Sequence, residues 1–149
     1  MNDFFATIYE NYLNIYNSDF DVIFQTLFDS SSYLSFGLIF IIVPLVFFFF
    51  FYFIWKYPYG KLLHWFIALL ITFLVVALST VGVANNEIFS SNNPELINLI
   101  NNHETGYDQY AKALPLKYAL WNSIFGAILG FIYSLILKQF SKIQIHLPF

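Results

Sequence analysis

The sequence contains no cysteine and no arginine. Without cysteine, the chain can form no disulfide, thiolate centre or cysteine-ligated iron–sulfur cluster. Without arginine, it lacks the planar guanidinium group on which recognition of phosphates and base edges depends. A net charge of −3 also provides no basic surface. We therefore expect no nucleic-acid partner.

Charged residues of either sign are scarce as well. They make up 10% of the 149 residues, against roughly 25% in globular domains, and 59% of the chain is hydrophobic. This balance indicates a protein whose solvent is largely a lipid bilayer. A cleavable signal peptide is not expected, because the first residues carry no positive charge and no apolar run occurs before residue 33.

Three apolar stretches predict transmembrane helices at residues 33–55, 62–84 and 116–137. The first has no charged residue and is long enough for about 30 Å of hydrocarbon. Pro44 lies in its middle and removes one backbone N–H, which predicts a helix kink. The run of phenylalanines from 47 to 51 leaves no polar face, so lipid or other helices must surround this segment. A belt of interfacial aromatic residues then follows: Tyr52, Trp55, Tyr57 and Tyr59.

The sequence thus predicts an all-α integral membrane protein with three transmembrane helices, an amphipathic acidic N-terminal helical segment (1–32) and a helical outer loop (85–115). Residues 56–61 contain a proline and a glycine and predict a tight cytoplasmic turn. Residues 138–149 form a cytoplasmic tail, whose residues 143–147 alternate as in a strand and either add to a partner's sheet or fray.

The orientation follows from the distribution of lysine. The turn and the tail hold four lysines and no acid, whereas the other side holds all nine acids and two lysines, Lys112 and Lys117. The positive-inside rule then predicts an outside N-terminus and a cytoplasmic C-terminus. We expect a bacterial inner membrane.

The outer segments contain local helix signals. Apolar spacing predicts a helix near 3–16, and Ser18 with Asp21 resembles a capping box before a helix near 19–29. The triplet from Asn93 to Glu95 predicts a helix start, and Gly106 a helix end or a bend. Because an acidic amphipathic helix is repelled by anionic lipid, we expect these segments to pack on protein, either on each other or on a partner. The candidate contact residues are Phe5, Ile8, Tyr12, Phe24 and Leu96.

The third span carries a stripe of small residues, which lets another helix approach closely. This stripe is the predicted helix-packing interface, and it consists of Ser123, Gly126, Ala127, Gly130 and Ser134. It serves either self-association and the docking of a partner helix, or packing against the other two spans. Asn122 lies near the outer end of the same span, where its amide is either hydrated, as we expect, or hydrogen-bonded between helices.

No residue pattern indicates catalysis. The centres of the spans hold no ionisable residue, which disfavours transporters and proton relays. His64, His103 and His146 are predicted on both sides of the membrane, so they cannot converge on a zinc ion within one chain. There is no glycine-rich phosphate loop and no nucleophile elbow. We expect no catalytic residue, no cofactor and no metal.

These features favour a small non-enzymatic membrane subunit that anchors or scaffolds a multi-protein assembly. Its contacts would be membrane lipid and other membrane subunits or further copies of itself. The alternative is a lesion-forming or permeability protein. The three spans with an outside N-terminus resemble the topology of class I phage holins, although those proteins have shorter outer segments and a denser basic tail. A membrane enzyme or transporter is the least favoured class.

Overall fold

The computed structural model describes residues 1–55 and 61–142, without the side chain of His103. Two predicted segments lie wholly or largely outside the described residues. They are positions 56–60 of the turn predicted at 56–61, with Tyr57 and Tyr59, and the strand-like residues 143–147, with His146. The rest is helix and short connections, with no strand among the described residues. The all-helical class predicted from the sequence is confirmed for this part of the chain.

The helices are α1 (Asn2–Thr7), α2 (Asp21–Asp29), α3 (Ser32–Phe53), α4 (Leu62–Phe89), α5 (Pro94–Asn101) and α6 (Tyr107–Phe140). A π-helical turn, Ile8–Tyr12, follows α1, and 3₁₀ turns occupy Ser18–Phe20 and His103–Thr105. Three of the helices, α3, α4 and α6, are long and apolar enough to cross a membrane.

These three long helices form one bundle in which each contacts the other two. Helices α3 and α6 run in the same direction, and α4 runs antiparallel to both. Many large apolar side chains point out of the bundle, whereas Thr72, Thr80 and Asn122 are buried inside it. Apolar exteriors around small and polar interhelical contacts are typical of helices in lipid.

Helix α3 continues without interruption through Pro44, whose ring is buried in the bundle. Proline removes one helical hydrogen bond, and neighbouring helices can compensate for this loss within a bundle. A Cβ atom added at Gly126 of α6 would lie 3.6 Å from the Pro44 ring. The proline therefore packs where the facing helix has no side chain.

Two helices extend beyond the predicted spans. Helix α4 ends at Phe89 rather than at 84, and α6 begins at Tyr107, nine residues before 116, and continues through Pro115. The early start of α6 has a packing cause, because a face with helical spacing is buried in the core on both sides of Pro115. This face consists of Tyr107, Ala111, Leu114 and Tyr118.

The remaining segments form a cap, defined here as residues 1–31 and 90–106, at the end of the bundle where α3 and α6 begin. The prediction of a first helix to about residue 16 is wrong, since helical structure ends at Tyr12. Asn14 adopts a positive φ of 50°, a conformation that asparagine tolerates and that ends a helix. The predicted Ser18 capping box is also wrong, because the side chain of Asn17 caps the turn by accepting a hydrogen bond from the Asp19 N–H.

Two other local predictions in the cap are confirmed. The Asn93 side chain accepts hydrogen bonds from the backbone N–H groups of Glu95 and Leu96, and Pro94 is the first residue of α5. Gly106 adopts φ 75° immediately before α6. This left-handed conformation costs glycine little, and it redirects the chain from the cap into the long helix.

Candidate functional site

The cap is joined to the bundle by a buried amide, that of Asn122 on α6. Its Nδ2 donates to the Phe36 carbonyl at 3.1 Å and to Thr80 Oγ1 at 2.9 Å, and its Oδ1 accepts from the Tyr9 hydroxyl. The side chain is fully buried, so the expectation of hydration is wrong. These three hydrogen bonds connect α6 to α3, α4 and the N-terminal segment. Breaking any one of them would leave a buried polar group unsatisfied, so the amide holds the four segments together.

Tyr9 brings the N-terminal segment into this contact. It is fully buried, and its ring meets those of Tyr33, Phe36 and Tyr118 at centroid distances of 5.4–6.0 Å. Burial raises the pKa of the Tyr9 phenol, and the hydrogen bond to Asn122 opposes this shift only in part. The hydroxyl therefore remains a neutral donor at physiological pH.

A second contact links the N-terminal segment to α3 and α6. The Tyr33 hydroxyl donates to Glu10 Oε1 at 2.6 Å and lies 3.3 Å from the Tyr118 hydroxyl. Both tyrosines are fully buried, whereas Glu10 is half-buried at the edge of the cap. The carboxylate of Glu10 thus accepts a charge-assisted hydrogen bond that fixes the π-helical turn on the bundle.

The cap itself is held by further hydrogen bonds. The Asn2 amide donates to the Phe28 carbonyl at 2.8 Å and accepts from the Leu34 N–H at 3.0 Å, which joins α1 to α2 and α3. The Asn93 amide donates to Thr26 Oγ1 at 3.0 Å, and the Tyr110 hydroxyl to the Ile15 carbonyl at 2.9 Å. The cap is therefore packed on the bundle through several side-chain hydrogen bonds.

The predicted small-residue stripe lies inside the bundle. A Cβ atom at Gly126 would lie 3.1 Å from Val76, and one at Gly130 would lie 2.7 Å from the Phe48 ring. Ser123 is buried and donates to the Ala119 carbonyl at 2.7 Å, while Ala127 is half-buried. The stripe thus provides close contacts to α3 and α4 of the same chain.

Ser134, the last residue of the stripe, is the centre of a polar contact at the opposite end of the bundle. Its Oγ lies 2.6 Å from the Tyr52 hydroxyl and accepts from Trp65 Nε1 at 2.7 Å. The Ser141 hydroxyl donates to the Tyr52 carbonyl at 2.6 Å. These bonds tie all three long helices together far from the cap.

The predicted outer contact residues divide into two groups. Phe5, Phe24 and Leu96 are buried against other parts of this chain. Ile8 is half-buried, and Tyr12 is 81% exposed. Of the five, Tyr12 is therefore the residue most accessible to a partner.

The outer surface of the cap is acidic. All nine acids of the chain lie in the cap or within three residues of it, and they outnumber the two lysines on this side by seven. Lys112 pairs with Asp108 at 2.8 Å, and the Lys117 ammonium lies 5.1 Å from the centre of the Tyr110 ring. Five acids are exposed to solvent: Asp3, Asp19, Asp29, Glu95 and Glu104.

Within the described residues, no group of three or more histidine and acidic side chains is arranged to hold a metal ion. The buried side chains of Asn122, Ser123 and Ser134 are all hydrogen-bonded within the chain, an arrangement suited to holding helices in place. Sequence reasoning missed the pairing of Tyr9 with Asn122, because a pair separated by 113 residues leaves no local spacing signal. It also missed Gly37, against which the Phe5 ring packs.

Comparison with protein-family models, with curated proteins and with solved structures finds no match to this chain.

Proposed function

We propose that this protein is a small, non-enzymatic integral membrane subunit that anchors or scaffolds a larger membrane assembly. In this proposal it resides in a bacterial inner membrane, with the cap outside and the C-terminus in the cytoplasm. It works without a cofactor, and its partners are other protein subunits together with membrane lipid.

One observation carries the proposal: the cap is fixed to the three long helices through buried hydrogen bonds and presents a surface of one charge sign. The Tyr9–Asn122 and Tyr33–Glu10 bonds hold its N-terminal part on α3, α4 and α6. A preorganised surface loses little conformational freedom on binding, and its charge steers the encounter with an oppositely charged partner. Such a cap suits the docking of a basic protein surface.

Of the two uses predicted for the small-residue stripe, this proposal adopts packing within the chain. Gly126 and Gly130 already contact Val76 and Phe48 of the same chain. The partner is therefore proposed to bind at the cap, through the exposed acids and Tyr12, and along the lipid-facing sides of the helices.

The test is mild detergent extraction of the tagged protein, followed by mass spectrometry of the proteins that accompany it. We expect stoichiometric partners with basic surfaces. A combined variant neutralises four exposed acids of the cap: D19N, D29N, E95Q and E104Q. It should reduce the recovery of the partner proteins about fivefold or more, because charges at the rim of an interface govern association. The control, Gln139→Glu, also changes charge but lies at the opposite end of α6.

Two outcomes would contradict the proposal. Unchanged recovery with the neutralised cap would remove the acidic surface from the interaction. A large assembly of this chain alone would favour the lesion-forming alternative, and ion leakage on expression would then be measured.

A further inference from the structure

We propose that the groove between α1, α3 and α6 binds one hydrocarbon chain of a zwitterionic membrane phospholipid. The groove has a volume of about 520 Å³, which is within the range of small-ligand sites. The proposal rests on the membrane location proposed above but not on the presence of a protein partner.

The groove lies along the seam between two of the long helices, at the depth of the apolar segments. Phe40 and Ile41 form its α3 wall, and the α6 wall runs from Phe125 to Tyr133. The lining is almost entirely apolar, with the Tyr133 side chain as its polar member. In a membrane, this part of the surface faces hydrocarbon, so a lipid chain is the partner whose chemistry matches the lining.

The N-terminal segment lines the end of the groove nearest the cap, through Phe4, Phe5 and Ile8. Phe5 is buried, and its ring meets that of Phe40 edge to face at 5.9 Å. The ring also occupies the space that a side chain at position 37 would need, since a Cβ atom at Gly37 would lie 2.4 Å from it. The wall is thus preformed, which distinguishes the groove from the convex side of a single lipid-facing helix.

The charge of the cap determines the class of headgroup. The groove ends beside α1, where Asp3 is exposed, and the acids on this side outnumber the lysines by seven. A lipid of net negative charge is repelled by such a surface. A zwitterionic headgroup that carries an ammonium group is not, so phosphatidylethanolamine should bind in preference to phosphatidylglycerol.

The test uses the purified full-length chain, reconstituted in vesicles of equal parts phosphatidylethanolamine and phosphatidylglycerol and extracted with a mild detergent. Native mass spectrometry then counts the phospholipids retained by each chain and identifies them by mass. We expect one retained phospholipid, mostly phosphatidylethanolamine. Ile128→Trp, which fills the groove, should lower retention about tenfold, equivalent to ~1.4 kcal/mol.

Matched variants separate loss of the groove from general damage. Ile128 is 53% exposed, so a larger side chain there does not require the core to repack. Leu74→Trp is the control, because Leu74 is 50% exposed on α4, at similar depth, and does not line the groove. Phe4→Ala removes an exposed side chain from the wall and should also reduce retention.

Several results would overturn the inference. The unaltered chain could retain no lipid, or it could prefer phosphatidylglycerol. Alternatively, Ile128→Trp and Leu74→Trp could retain lipid equally. A dimer that Ile128→Trp dissociates would assign the groove to a second copy instead. Because lipid retention is measured without any partner, failure here and failure of the proposed scaffold role remain distinguishable.

Discussion

At the scale of single residues, the packing of the long helices depends on where glycine lies along them. Gly130 lies on α6 opposite the ring of Phe48, which is fully buried. A methyl group there would lie 2.7 Å from that ring, closer than packed atoms approach, so either the ring or the helix must move. Gly82 is also a glycine within a helix, on α4, but beyond its own local backbone no atom lies within 4 Å of its Cβ position.

The two glycines should therefore respond in opposite directions to the same change. Gly130→Ala should destabilise the bundle by about 1–3 kcal/mol, the usual cost of overpacking a core. Gly82→Ala should stabilise it by about 0.5–1 kcal/mol, because alanine favours the helix and meets nothing. Thermal unfolding followed by circular dichroism in detergent measures both. Equal effects would show that α6 does not approach α3 this closely.

At the scale of helices, the position of α1 depends on its packing against a glycine of α3. Phe5 fits where Gly37 has no side chain, and the Asn2 amide bonds α1 to α2 and α3 on the adjacent side. The segment is short, and isolated helices of this length are not stable in water. Its position must therefore come from these contacts and not from its own helix propensity.

This dependence predicts a coupling between the two residues. Gly37→Ala should displace α1 in the natural sequence but should have little effect in a Phe5→Ala background, because the shortened side chain leaves room for the methyl group. We expect a coupling of about 1–3 kcal/mol in a double-mutant cycle. Amide exchange of residues 4–12 reports the docking of α1. Additive effects of the two changes would show that the Phe5 ring does not pack against Gly37.

At the scale of the whole molecule, charge is separated between the two ends of the bundle. The cap end carries every acid, whereas Lys61, Lys138 and Lys142 lie at the other end and have no acid beside them in the sequence. Lysines near the ends of spans retain their segment in the cytoplasm, whereas acids contribute little to this effect. The orientation proposed for the chain follows from this asymmetry.

The absence of cysteine makes the orientation simple to test with single substitutions. A cysteine at Asn92, in the cap, should react with a membrane-impermeant maleimide in intact cells. A cysteine at Tyr59, in the connection between α3 and α4, should react only after the cells are lysed. Labelling the unaltered chain provides the blank, and the reverse pattern would invert the topology.

The amino-acid sequence by itself determined the elements that local patterns encode. The apolar runs predicted three long helices, because no other conformation satisfies the backbone of such a segment in lipid. The Asn93 cap and the Gly106 bend followed from local hydrogen bonding and backbone freedom. The separation of charge can be read directly from the order of residues.

Only the tertiary structure decided which surfaces remain available. It placed Gly126 and Gly130 against the chain's own helices, buried Asn122 under the N-terminal segment, and extended α6 through Pro115 to Tyr107. Each of these outcomes depends on contacts between residues far apart in sequence, such as Tyr9 with Asn122. A local period indicates which face of a helix is buried but not what that face contacts, so the cap and the groove could be described only from the assembled bundle.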